Sequence, residues 1–208
     1  MYISRVEVPW DAARNPYDFH RQLWRLFPDE ARESRQSDTE ARQGFLFRVE
    51  EHRPGRTARL LVQSRRPPAV ASGLVLIGAR EFNPRAEAGQ RLAFVVTANP
   101  IKTIVDAQRD AKAGKKSVTC RVPLIREEEQ RAWLERKLAG AAAVEAATVL
   151  THPPLHFRKG NRGGKLVTVT FEGVLQVLDP VLLLGLQENG IGPAKGFGCG
   201  LLLVRRLG

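Results

Sequence analysis

The sequence predicts an α+β protein of two successive β-α-β-β-α-β units, residues 1–89 and 90–208. Three observations carry this. Strand signals open each half, at residues 2–8 and 91–98. A helix signal follows in each, after Asn15-Pro16 and across 127–138. Pairs of strand-like runs flanking turn residues come next. The repeat lies in element order rather than residue identity, and that order is a tandem ferredoxin-like arrangement.

In the first half, Tyr2, Val6 and Val8 alternate with Ser4, Arg5 and Glu7, the period of a strand with one buried face. Asn15 is an N-cap residue, Pro16 suits the first helical position and Asp18 the first turn. Phe19, Leu23, Leu26 and Phe27 form one apolar stripe, and Pro28 stops the helix. Residues 29–42 are polar without a stripe and read as a mobile loop. Residues 45–50 and 57–63 form a hairpin across Pro54-Gly55. A weaker strand falls within the apolar run 73–79, before the turn-rich 83–89.

In the second half, the strand at 91–98 closes on Asn99-Pro100, and 106–119 is a basic loop. The helix at 127–138 has Glu127–Arg131 and Arg131–Glu135 spacings for an exposed face, with Trp133 and Leu134 turned inward. Strands at 144–150 and 166–175 flank a basic, hairpin-like segment. Asp179-Pro180 opens a short apolar helix to about Gln187, a glycine loop follows, and 201–204 is the last strand.

Composition narrows the function. The 208 residues hold 33 Lys and Arg against 22 Asp and Glu, a net charge of +11 that favours a polyanionic partner. The excess is uneven, and residues 158–165 carry four positive charges and no acid. No apolar run approaches the ~18 residues of a membrane span, and the first residues read as a strand rather than a signal peptide. With only Cys120 and Cys199, a cysteine metal cage is excluded and a disulfide framework is not expected. The expectation is a cytoplasmic protein without membrane contact.

The candidate chemistry is sparse. Tyr17 and His20 stand three apart, on one helical face distinct from the Phe19/Leu23 stripe, with Arg21 and Arg25 adjoining. A surface histidine beside a packing tyrosine is one reading; proton transfer near neutral pH is the other. His52 belongs to a polar turn, and His152 and His156 flank Pro153-Pro154 with no carboxylate or thiol nearby, so no metal site and no cofactor is assigned. Gly190, Gly192, Gly196, Gly198 and Gly200 crowd one loop with Lys195. That loop either cradles a phosphate through its N–H groups or is a tight structural turn, and it lacks the Gly-Lys-Ser/Thr of a P-loop. Arg158, Lys159, Arg162 and Lys165 are candidates for phosphate contact, and Lys112, Lys115 and Lys116 form a second basic patch. Glu127-Glu128-Glu129 reads as a solvated helix face rather than a two-metal centre.

Several stretches, in order and almost end to end, resemble the CasE family of CRISPR-associated endoribonucleases. They include Tyr17-x-x-His20, Leu23-Trp24-x-Leu26-Phe27-Pro28, Phe45-Leu46-Phe47-x-Val49-Glu50 and Ala98-Asn99-Pro100-Ile101-Lys102-Thr103. Cys120-Arg121-Val122-Pro123-Leu124-Ile125, Phe171-Glu172-Gly173-Val174-Leu175 and the run from Gly190 to Leu202 complete the match. The resemblance implies two ferredoxin-like domains and processing of precursor CRISPR RNA in type I-E Cascade. It implies metal-independent cleavage at the 3′ base of the repeat stem-loop, the product staying bound. It also implies a catalytic role for His20, assisted by Tyr17. The free chain is expected to be a monomer that joins other Cascade subunits.

Metal-free RNA cleavage proceeds by attack of a 2′-hydroxyl on its own phosphate, leaving a 2′,3′-cyclic phosphate and a 5′-hydroxyl. It needs proton transfer, in-line geometry and charge stabilisation. His20 can serve as base or acid, with Arg21 or Lys195 as the cation. A non-catalytic subunit that caps an RNA hairpin is the alternative, and a basic RNA-associated protein unrelated to CRISPR is a third reading.

Overall fold

The computed structural model describes residues 1–29, 44–105 and 119–207. The first unit pairs β1 (Tyr2–Pro9), β2 (Phe45–Arg53), β3 (Thr57–Ser64) and β4 (Val75–Glu81) in the antiparallel order β2-β3-β1-β4. Because side chains alternate along a strand, Val6 and Val8 of β1 share a face with Leu60 and Val62 of β3. Phe45 and Phe47 of β2 join them, and all six are 2% exposed or less. Phe19, Leu23, Leu26 and Phe27 cover that face, as the apolar stripe requires. Burying each such side chain contributes ~1.5–3 kcal/mol, which fixes the helix to its sheet.

The helix differs in detail from expectation. A four-residue α1 (Trp10–Ala13) precedes it, α2 runs Asp18–Leu23, and a 3₁₀ turn continues through Trp24–Leu26. The N-cap of α2 is Tyr17 rather than Asn15, and Pro16 lies ahead of the first helical residue; Asn15 closes the turn before the helix. Its Oδ1 accepts from the Tyr17 N–H at 3.3 Å, and its carbonyl accepts from the Asp18 N–H at 2.8 Å. Among the described residues, the first unit also lacks the second helix of the motif. Residues 65–74 run irregularly, since Pro67 and Pro68 cannot donate to a helical ladder, and the Ala69 N–H turns to the Leu26 carbonyl at 2.8 Å. The loop expected at 29–42 lies, beyond Asp29, outside the described residues.

The second unit runs β5 (Arg91–Ala98), β6 (Ile101–Val105), β7 (Thr119–Pro123), α3 (Glu127–Leu138) and β8 (Ala142–Thr151). It continues with β9 (Leu155–Lys159), β10 (Arg162–Leu166), β11 (Val169–Val177), α4 (Pro180–Asn189) and β12 (Leu203–Arg206). Its sheet has the order β12-β5-β11-β8, so both units place their first strand centrally beside the strand that returns antiparallel to it. Trp133, Leu134 and Leu138 of α3 and Leu183 of α4 pack on Phe94, Phe171 and Leu175. Asp179 caps α4, its Oδ1 accepting from the Val181 and Leu182 N–H groups at 2.8 and 3.0 Å. The Glu127–Arg131 pair forms at 2.7 Å on the exposed face of α3.

Two insertions depart from the plain motif. The β6–β7 ribbon was not legible as strands, and the basic residues between its arms, 106–118, lie outside the described residues. The β9–β10 hairpin carries the basic segment. The strand expected over 166–175 divides, Leu166 closing β10 and Val169 opening β11. Between them Val167 turns its carbonyl to the Asn99 Nδ2 at 2.6 Å. The last strand is Leu203–Arg206, later than expected: its ladder with β5 opens at Leu203 opposite Val95, and Leu201 and Leu202 are buried ahead of it.

Candidate functional site

Tyr17, the N-cap of α2, and His20, within it, stand at the junction of the two units. The His20 ring lies 5.1 Å from the Phe45 ring and 5.8 Å from Trp24, centroid to centroid, so its imidazole is half-buried on an aromatic wall. Against α2 lies the 3₁₀ turn Lys195–Phe197 of the glycine loop, and a Cβ on Gly196 would fall 3.8 Å from His20 Cγ. Tyr17 faces Phe157 of β9 at 6.3 Å and Phe197 at 6.0 Å, and those two rings are 4.5 Å apart. One aromatic cluster thus joins the histidine-bearing helix, the basic hairpin and the glycine loop.

Lys195 is half-buried in that loop. Burial, and secondarily the charge of Lys137, hold its amine below the ordinary lysine range. A cation so placed gains when an anion arrives, because the anion offsets both effects. Arg21 is exposed and held by Asp18 at 3.1 Å, an i,i+3 pair that a phosphate can displace at little cost. Of these two cations, Lys195 belongs to the turn packed on His20.

The hairpin pairs Lys159 with Arg162, Arg158 with Gly163 and His156 with Lys165. Arg158, Arg162 and Lys165 are exposed. A cleft of about 570 Å³ opens between this hairpin and the turn before α2, lined by Arg14, Asn15, His156, Phe157, Arg158 and Lys165, with Gly163 and Gly164. A Cβ on Gly164 would enter the Phe157 ring, so glycine at that position lets the ring lie flat on the hairpin. The side chain of Lys159, and Lys112, Lys115 and Lys116 entirely, lie outside what the structure describes.

Five amides of the glycine loop bond to backbone carbonyls of the loop or of its neighbours. The Ile191 N–H donates to the Gly200 carbonyl at 2.9 Å, Phe197 to Ala194 at 2.9 Å and Gly198 to Lys195 at 3.1 Å. Gly190 donates to Leu186 at 2.8 Å, and Gly200 to Thr97 at 2.7 Å. These five amides are held within the protein, and Lys195 adds a cationic side chain to the loop. The other histidines lie apart. His52 is in β2, not in a turn, 5.2 Å from the Trp10 ring. His152 Nε2 and Thr170 Oγ1 are hydrogen-bonded at 2.8 Å. Among the described residues no three His, Cys, Asp or Glu side chains gather as metal ligands. Cys199 is buried, which pushes its thiol up to about 12, and Cys120 is also a free thiol. No helix among the described residues is long and apolar enough to cross a membrane.

Sequence reasoning named Tyr17, His20, Lys195 and the hairpin cations as candidates, and the structure brings Tyr17, His20, the Lys195–Phe197 turn and the hairpin together. It missed Phe157 and Phe197 as the cluster that joins them, and read Asn15 as a helix cap where it ties the turn to the hairpin. Phe157 carries no local signal, because its partners are distant in sequence.

Two antiparallel β-α-β-β sheets with a basic hairpin docked beside a histidine-bearing helix define a tandem ferredoxin-like protein with a cationic groove. The family model for CRISPR-associated proteins matches residues 1–206, and the chain belongs to that family. It is 39% identical over 207 residues to the CRISPR system Cascade subunit CasE of Escherichia coli K12, covering 100% of both chains. It superposes on the crystal structure of Cas6e from that organism with a TM-score of 0.85 at 38% identity, again over 100% of both. A structure of the CRISPR endoribonuclease Cse3 bound to a 19-nucleotide RNA matches with a TM-score of 0.73 at 30% identity, covering 99% of this chain and 100% of that one.

Proposed function

We propose that this protein is an endoribonuclease that binds the stem-loop of a CRISPR repeat, cuts precursor CRISPR RNA at the 3′ base of the stem without a metal, and keeps the product as a Cascade subunit. It acts in the cytoplasm and is a monomer before it meets RNA. The observation that carries this is the packing of the Lys195–Phe197 turn and the β9–β10 hairpin around Tyr17 and His20. Family membership, and the names CasE and endoribonuclease Cse3 borne by relatives, support it. The hairpin cations Arg158, Lys159, Arg162 and Lys165 hold the stem by its phosphates, as the narrow A-form major groove demands. Lys112, Lys115 and Lys116 extend the basic surface. The two ferredoxin-like domains divide at residues 89 and 90.

In the reaction a 2′-oxygen forms a bond to the adjacent phosphorus while the bond to the 5′-oxygen breaks. The 2′-hydroxyl loses a proton and the leaving 5′-oxygen gains one, giving a 2′,3′-cyclic phosphate and a 5′-hydroxyl. His20 performs one of these transfers, worth ~10²–10⁴-fold in rate. Tyr17 orients the nucleophile or hydrogen-bonds the phosphate. Lys195 stabilises the phosphorane charge from its half-buried position in the turn, where a cation acts more strongly than in open solvent.

The test is incubation of a labelled repeat hairpin with protein in EDTA, beside His20→Ala, followed by end mapping. A single cut with a 5′-hydroxyl end, lost in H20A while binding persists, is the expected result. Binding without cleavage by the wild type leaves only the hairpin-capping subunit, and equal cleavage by both proteins moves the proton transfer away from His20.

A further inference from the structure

Asn15 lies in the turn between α1 and α2, yet its carboxamide reaches a residue 143 positions away. Its Nδ2 donates to the Arg158 carbonyl at 2.8 Å, and the Arg158 N–H donates to its Oδ1 at 3.1 Å. The same Oδ1 accepts from the Tyr17 N–H at 3.3 Å. A carboxamide presents a donor and an acceptor in one plane, as a peptide does, so it engages both backbone groups of residue 158 as a neighbouring strand would. One side chain therefore touches the backbone of the basic hairpin and the backbone of Tyr17.

The hairpin has need of such a tie. β9 and β10 form a two-stranded sheet of their own, inserted between β8 and β11, and an isolated two-stranded ribbon is marginal in water. Its position against α2 must come from tertiary contacts. The Asn15 clasp is one, and the Phe157 ring on Tyr17 and Phe197, one residue along, is another.

We propose that Asn15 is a positioning residue for cleavage: it clasps the hairpin that grips the RNA stem to the helix that carries Tyr17 and His20, so that a phosphate held by one is presented to the other. This rests on the proposed endoribonuclease reading. Its carboxamide is spent on the backbones of Arg158 and Tyr17, so its effect falls on geometry rather than affinity. A misplacement of about 1 Å at a reacting centre costs ~10²-fold in rate, whereas the stem phosphates are contacted by side chains that Asn15 does not hold.

Two variants test it. Asn15→Asp is isosteric, keeps the acceptor, and turns a carboxylate oxygen toward the Arg158 carbonyl; Asn15→Ala removes all three bonds. Each is assayed for repeat-hairpin affinity and for single-turnover cleavage at saturating protein, with amide hydrogen exchange of residues 155–166 in the absence of RNA. Expected is a fall of roughly 10–100-fold in the saturated rate, with affinity within about threefold. Exchange at the Arg158 amide should accelerate in N15A. Phe157→Leu combined with N15A should lose less than the product of the two single losses, because both act through one docked hairpin. A wild-type saturated rate in N15D and N15A overturns the proposal, as does a loss confined to affinity. If the wild type itself cuts no repeat, the endoribonuclease reading fails, and the positioning role falls with it even where exchange shows the clasp to be real.

Discussion

Gly192 lies under the indole of Trp133: a Cβ built on it would fall 2.7 Å from Cζ2 and 2.8 Å from Cη2. Trp133 cannot retreat, being 2% exposed and stacked on Phe171 with 14° between the rings. Gly192 also has a φ of +72°, where an L side chain is strained. Gly196, four residues on, has room, a Cβ there meeting only His20 Cγ at 3.8 Å.

Gly192→Ala should therefore destabilise the protein and Gly196→Ala should not. The left-handed backbone costs ~1–2 kcal/mol and overpacking a further ~1–3 kcal/mol. For a chain of this size that is a fall of roughly 5–15 °C in melting temperature. Thermal unfolding followed by circular dichroism decides it, and equal melting temperatures for G192A and wild type would show that Trp133 has another rotamer.

The same contrast explains what could be read from the sequence. Most strands of the two four-stranded sheets, the α3 boundaries, the Asp179 cap and the Phe19/Leu23/Leu26/Phe27 stripe were legible because periodicity and capping are local. The Tyr17–His20 spacing suggested one helical face for the same reason, whereas Tyr17 stands at the N-cap and the two rings meet different partners. That residues 65–74 form no helix in the first unit was only half-visible, in Pro67-Pro68. The β6–β7 ribbon was hidden because its arms are separated by 13 intervening residues, 106–118. The docking of Phe157 on Tyr17, and of Asn15 on Arg158, was beyond reach, since no pattern along the chain brings residue 15 to residue 158.

Gly164→Ala should leave the two cores intact yet damage the site. The added methyl would enter the Phe157 ring and push it from Tyr17 and Phe197. The hairpin is a separate two-stranded sheet, so the melting temperature should move by under about 3 °C, while cleavage at saturation drops ~10-fold or more. Unchanged cleavage would mean that the aromatic cluster does not set the geometry of the site.

Neutralising the hairpin should weaken binding in a salt-dependent way. Arg158, Arg162 and Lys165 are exposed, so replacing each by Gln removes charge without disturbing a core. For each phosphate that the variant no longer neutralises, the slope of log affinity against log salt should fall by roughly 0.7–0.9. The weakening should be similar for stems of different sequence but equal shape, because phosphate contacts position and do not read bases. Affinities measured across a salt series, on two stems, test both parts. An unchanged slope in all three variants would place the RNA elsewhere.

Lys195 should show function opposed to stability. Burial, then Lys137, lowers its pKa, so the folded state binds this proton less tightly than the unfolded chain, whose lysines titrate near 10.5. Wherever the unfolded state binds more protons, stability rises with pH. The penalty is thus fully present below the lowered pKa and is relieved as pH climbs toward 10.5. Lys195→Met removes the penalty, so K195M should melt slightly above wild type at pH 7, and the gap should close toward pH 10. The margin is small because the amine is only half-buried and solvent screens it. The cost appears in catalysis: on the proposed charge-stabilising role, losing this cation should lower the saturated cleavage rate ~10²–10³-fold. Lys195→Arg, which keeps the charge but not the point geometry, should recover only part of that rate. Melting and single-turnover cleavage at two pH values separate these outcomes. K195M less stable than wild type at pH 7 would show that the lysine is held for its packing. K195M as fast as wild type would pass the charge-stabilising role to Arg21.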